Sequence, residues 1–132
     1  MAPAIRIELD KSDWDDPRFE RYHLAGTQVR GRVIVSAPEP LETKGVRVVA
    51  GWRTEGRGDR DESMAAVKTL HRGTISGQQE FPFELPVPVD GPISFDGHYI
   101  QIVWRVVAII DLSWKKDPKA EEIFYVMPAP AL

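Results

Sequence analysis

Hydrophobic and polar positions alternate along most of this chain, most plainly near its C-terminal end. Ile100, Ile102, Trp104, Val106, Ala108, Ile110 and Leu112 recur at every second residue, the period of a strand with one buried face. Between them, Gln101, Val103, Arg105, Val107, Ile109 and Asp111 are polar at the ends and apolar in the middle, which implies a second face that is partly covered. The β-branched and aromatic residues of this run suit a pleated surface better than a helix.

The same pattern recurs upstream. "AIRIEL" places Ile5, Ile7 and Leu9 on one face, and "TQVRGRVIVSA" places Val29, Gly31, Val33 and Val35 opposite Arg30, Arg32 and Ile34. "KGVRVVAGWRTEG" sets Val46, Val48, Ala50 and Trp52 against Arg47, Val49, Gly51 and Arg53. Met64 to Leu70 suits a helical turn as readily as an extended segment and is read as a strand. In "QEFPFELPVPV", Phe81, Phe83, Leu85 and Val87 alternate with Pro82, Glu84, Pro86 and Pro88, and prolines confine a strand to an edge or to its ends. "EEIFYVMP" closes the series.

Turn chemistry at Ala25-Gly26, Pro38-Glu39-Pro40, Gly56 to Gly58, Asp90-Gly91-Pro92, Asp96-Gly97 and Asp117-Pro118 separates these segments. At least seven short strands with no strong amphipathic helix predict an all-β fold, an antiparallel immunoglobulin-like sandwich. With no repeat or linker, residues 1–132 are expected to form one domain with its core at about 5–126 and a frayed tail at 127–132.

Composition narrows the function classes. The 132 residues suffice for a core without staples, and the absence of cysteine removes disulfides, thiolate nucleophiles and cysteine zinc sites together. That absence, the lack of an apolar leader in residues 1–20 and the lack of a bilayer-length apolar run predict a cytoplasmic protein without a transmembrane segment. A net charge of −3 gives no electrostatic reason for nucleic-acid binding.

No catalytic constellation emerges. His23, His71 and His98 lack metal-ligand spacing and read as exposed or structural histidines. The acidic stretch Asp10 to Asp16 lacks the glycine and closing glutamate of a calcium loop, and Arg57-Gly58-Asp59 reads as a hairpin tip. No nucleophile elbow, phosphate loop or dinucleotide fingerprint occurs. The expectation is a protein that is not an enzyme, with no cofactor and no metal. Trp14 and Trp114 are expected to lid the sandwich ends.

The order of the segments carries a resemblance. Gly31 in an entry strand, then Val46 and Val48, then Phe81, Phe83, Leu85 and Pro86, then Pro92, Ser94 and Gly97, then Trp104, Val106 and Ala108 resembles the arrestin-like family over about Ile5 to Val126. It looks like one N-terminal-like sandwich of the arrestin-domain and bacterial sporulation-control type. The resemblance implies a non-catalytic adaptor or scaffold module for protein–protein interaction. The family's phosphate-sensing basic pair is not matched, since Arg6 and Lys11 lie apart among Glu8 and Asp10.

Such a module would meet a protein partner through a sheet edge or a sheet face. The strands at Val29 to Val35 and Val46 to Arg53 contain no proline, so either would be open if it is an edge, and association through one of them is expected. Ile34 and Val49, rimmed by Arg30, Arg32, Arg47 and Arg53, are the candidate partner-binding residues. Two other readings stand beside this one. One is a structural homodimer, and the other is a small-ligand or carbohydrate-binding sandwich using Trp52, Tyr99 or Trp114.

Overall fold

The computed structural model describes residues 3–12, 20–56, 60–97, 100–113 and 115–128. Nine strands are present among them: β1 (Ala4–Leu9), β2 (Tyr22–Leu24), β3 (Gln28–Leu41), β4 (Gly45–Gly56), β5 (Arg60–His71), β6 (Ile75–Pro86), β7 (Phe95–Asp96), β8 (Ile100–Asp111) and β9 (Lys119–Met127). They form a three-stranded sheet, β1-β3-β6, and a six-stranded sheet, β2-β9-β8-β4-β5, with β7 paired to β8.

Alternation decides which side chains meet between the sheets. Val29, Val33 and Val35 of β3 face Val46, Val48 and Ala50 of β4 and Trp104, Val106, Ala108 and Ile110 of β8 within one buried cluster, which Phe83, Leu85 and Phe124 complete. Trp104 is fully buried, its indole Nε1 donates to the Pro92 carbonyl at 2.8 Å, and its ring lies 5.0 Å from Trp52 and 5.8 Å from Phe124. A buried indole needs an acceptor, and the segment before β7 supplies it. Ser94 ties that same segment to the sheet: its N–H donates to the Val126 carbonyl and its hydroxyl accepts from the Val126 N–H. Gly31 must be glycine, because a Cβ there would press on the Phe83 ring and on the backbone of β1 at Glu8 and Leu9.

The structure departs from the sequence reading in three places. Pro38-Glu39-Pro40 does not end a strand but lies inside β3, where the register with β6 shifts between Ala37 and Leu41, so these prolines mark an irregularity rather than a turn. β2 pairs β9 in parallel, which makes the larger sheet mixed rather than wholly antiparallel. Neither proline-free strand can associate through an open edge: β3 lies between β1 and β6, and β4 between β5 and β8, so both ladders of each are occupied. β6, with Pro82 and Pro86, is an edge as its prolines require, and the other long edge is β5. The segment Met64 to Leu70 is strand, as read. Trp14, Arg57-Gly58-Asp59, His98, Tyr99 and Trp114 lie outside the described residues, as does most of the acidic stretch.

Candidate functional site

The six candidate residues fall on two opposite surfaces. Arg30, Arg32 and Ile34 are on the outer side of the three-stranded sheet. Arg47, Val49 and Arg53 are on the outer side of the six-stranded sheet. The fold brings each trio together and keeps the trios apart.

On the smaller sheet the arginines are already matched. Arg32 donates from Nε (2.9 Å) and Nη2 (2.7 Å) to Glu8 and from Nη1 to Glu80 at 3.2 Å, and Arg30 pairs with Glu84 at 3.4 Å. The hydrogen bond to Glu8, then its charge and that of Glu80, hold the Arg32 guanidinium above its ordinary pKa. Ile34, in register between Arg6 and Glu80, is only 3% exposed. This surface is a charge ladder over a covered apolar residue.

On the larger sheet the register builds a trough of about 700 Å³. Val49 of β4 lies between Val67 of β5 and Val107 of β8, and in the next row Arg47 lies between Thr69 and Ile109. Gly51 deepens the middle, between Met64 and Arg105, and a side chain there would collide with the Ser63 carbonyl where the strand pairing shifts. The floor is therefore apolar, built from Val49, Val107 and Ile109.

One wall is a chain of ion pairs. Glu121 on β9 reaches Arg53 with one oxygen (3.4 Å) and Arg105 with the other (3.2 Å), while Arg53 also meets Glu55 at 3.0 Å and Arg105 meets Glu62 at 2.9 Å. The side chains of Arg53 and Arg105 are 18% and 17% exposed, so this network is much drier than the ladder opposite. Arg47 Nε stands 3.2 Å from Asp111 without hydrogen-bond geometry, so charge alone holds that pair. The sequence reading named Arg47, Val49 and Arg53 but missed Arg105, Val107, Ile109 and Glu121. The alternation within β8 carried the signal for the middle two.

A second depression, of about 440 Å³, lies where β7, β8 and β9 meet. Tyr22 and Tyr125 stack there at 4.8 Å, beside exposed Phe95, Ile123 and Met127. His23 is buried with its edge against Phe124, a structural histidine, and Trp52 packs half-buried against Trp104. Among the described residues no group of three or more His, Asp or Glu side chains is placed to hold a metal ion, and no helix is long and apolar enough to cross a membrane.

Comparison with known proteins accords with this architecture. Spo0M, a sporulation control protein from Bacillus subtilis, superposes on 98% of this chain with a TM-score of 0.73 at 18% identity, using 51% of its own chain. Arrestin domain-containing protein 1 of Rattus norvegicus and that of Mus musculus are each 28% identical over 113 residues, 77% of this chain and 26% of theirs. The chain thus spans about a quarter of the rodent proteins and half of the bacterial one. The profile of the arrestin (or S-antigen) N-terminal domain matches residues 59–131, just over half of the chain and less than the stretch over which the resemblance was read. On the matched profile and the shared sandwich, the chain belongs to the arrestin family.

Proposed function

We propose that this domain is a non-catalytic adaptor module that binds a protein partner in the trough on the six-stranded sheet, with Arg47, Val49 and Arg53 at the contact. One observation carries the reading: an apolar floor of Val49, Val107 and Ile109 walled by a prearranged ion-pair chain. An apolar centre inside a polar rim is the anatomy of a protein interface, and charges fixed in advance lose little entropy on binding. The opposite face offers no such centre, because Ile34 is covered and Arg30 and Arg32 are spent on neighbouring glutamates. Membership of the arrestin family supports an adaptor role in general. The proposed setting is the cytoplasm, with no nucleic acid and no cofactor.

The ligand-platform reading keeps less support, since Trp52 turns inward against Trp104. A photo-crosslinking residue placed at Val49 in cells tests the trough directly. It should capture a protein that the same group at Glu80, on the other sheet, does not. Equal capture from both positions, or capture from Glu80 alone, would move the partner site off the trough.

A further inference from the structure

β5 is the open edge of the larger sheet: it pairs with β4 on one side, and among the described residues no strand lies on the other. It contains no proline to block that side. Its register with β4 shifts between Ala50 and Gly51, because Ala65 is an extra residue between Met64, opposite Gly51, and Ala66, opposite Ala50. This bulge changes the phase of the alternation, so Met64 and Val67, three positions apart, both point to the outer face, where they are 64% and 51% exposed. On the core-facing side lie Asp61, opposite Thr54, and Lys68, opposite Val48. A lysine aimed inward on an edge strand discourages indiscriminate pairing and leaves open a partner that answers its charge.

We infer that β5 pairs antiparallel with β5 of a second copy, about a two-fold axis between Ala65 and Ala66. That register sets Met64 opposite Val67 of the second copy, and Val67 opposite its Met64, covering both exposed apolar residues twice over. On the other side Lys68 falls opposite Ser63 of the second copy with Asp61 of that copy on the diagonal, within reach of a long side chain. The small side chains of Ala65 and Ala66 lie at the axis, where the backbones must approach. Shifting the register by one residue would place outward residues opposite inward ones, so the phase change at Ala65 selects this pairing. A second copy is the favoured occupant because one strand supplies both halves of the charge match and both halves of the apolar match. The two six-stranded sheets then run on as one, and the troughs lie side by side on a continuous face.

The chain has no cysteine, which allows a register-specific test. Met64→Cys and Val67→Cys variants, mixed and oxidised, should give a disulfide-linked dimer, because directly opposite residues stand about 5 Å apart at Cα. Either variant alone should not, because identical positions are displaced by three residues, roughly 10 Å. Both sites are more than half exposed, so folding is not at stake. In light scattering near 100 μM the wild type should exceed monomer mass, Lys68→Glu and Asp61→Lys should each weaken association about tenfold, and their mixture should regain it. A wild type that stays monomeric, cross-linking in neither or every combination, or charge variants that leave association unchanged would overturn the inference.

Discussion

The two outer faces of this sandwich use the same vocabulary, arginines and glutamates around a β-branched residue, and arrive at opposite surfaces. On β3 each outward arginine meets a glutamate from a neighbouring strand in the open, and Ile34 is sealed beneath. On β4 Arg53 is drawn to the wall of a trough, where Glu121 holds it together with Arg105, and the apolar floor stays open. Sheet width makes the difference. Three strands place every outward side chain of the middle strand next to an edge, where long neighbours fold over it. In the wider sheet β8 lies between two interior strands, β9 and β4, and Gly51 contributes a dent that no side chain fills.

Substitutions should separate the two faces. The largest effect belongs to Trp104→Ala, which removes the ring shared by both sheets and should cost about 3–5 kcal/mol. Because one cluster supports both faces, denaturant unfolding followed by tryptophan emission and by far-UV circular dichroism should show a single coincident transition. Two separate transitions would mean the faces are held independently. Ile34→Ala should cost about 2–3 kcal/mol as a buried deletion, whereas Val49→Ala should cost less, about 1 kcal/mol, since its side chain is only partly buried on the trough floor. Equal losses in a urea titration would erase the distinction between a covered and an open apolar centre.

Glu121→Gln leaves two largely buried guanidinium groups short of a carboxylate and should lower stability by about 1–2 kcal/mol. Glu80→Gln, on the solvated ladder, should leave the urea midpoint unchanged, because Arg32 keeps Glu8. The smallest effect is on pH. The Arg32 pKa is raised, so its contribution is fully present below the ordinary arginine value and is lost only as pH climbs past the folded one. Thermal melts between pH 6 and pH 9 should therefore show no titration traceable to this ladder, and screening by salt is the lever that weakens it.

Legibility in the sequence followed the length of each signal. β8 repeats its alternation over twelve residues, and both of its faces were readable, including the partly covered one. β2 and β7 have three and two residues, too few for any period to register, so they were not anticipated. The face assignment of Ile34 and Val49 came from alternation and holds. The burial of Ile34 did not come with it, because that depends on long side chains contributed by β1 and β6. Edge positions were not legible for a related reason: an absence of proline permits either an edge or an interior place, and strand order is settled by pairings distant in sequence. The phase change at Ala65 was likewise invisible, since a bulge exists only relative to a partner strand.

One pairing has a consequence in time rather than in space. β2 joins β9 across a separation of a hundred residues, secured by the Tyr125 N–H to the Arg21 carbonyl, the Ala25 N–H to the Met127 carbonyl and the Arg21–Glu122 pair. Closing so long a loop for three residues of ladder returns little until the strands between are in place, whereas the β4–β5 hairpin forms from neighbours. β2 should thus be the last strand to dock during folding and the first to part in native-state hydrogen exchange, its amides opening at a fraction of the free energy that protects β4 and β8.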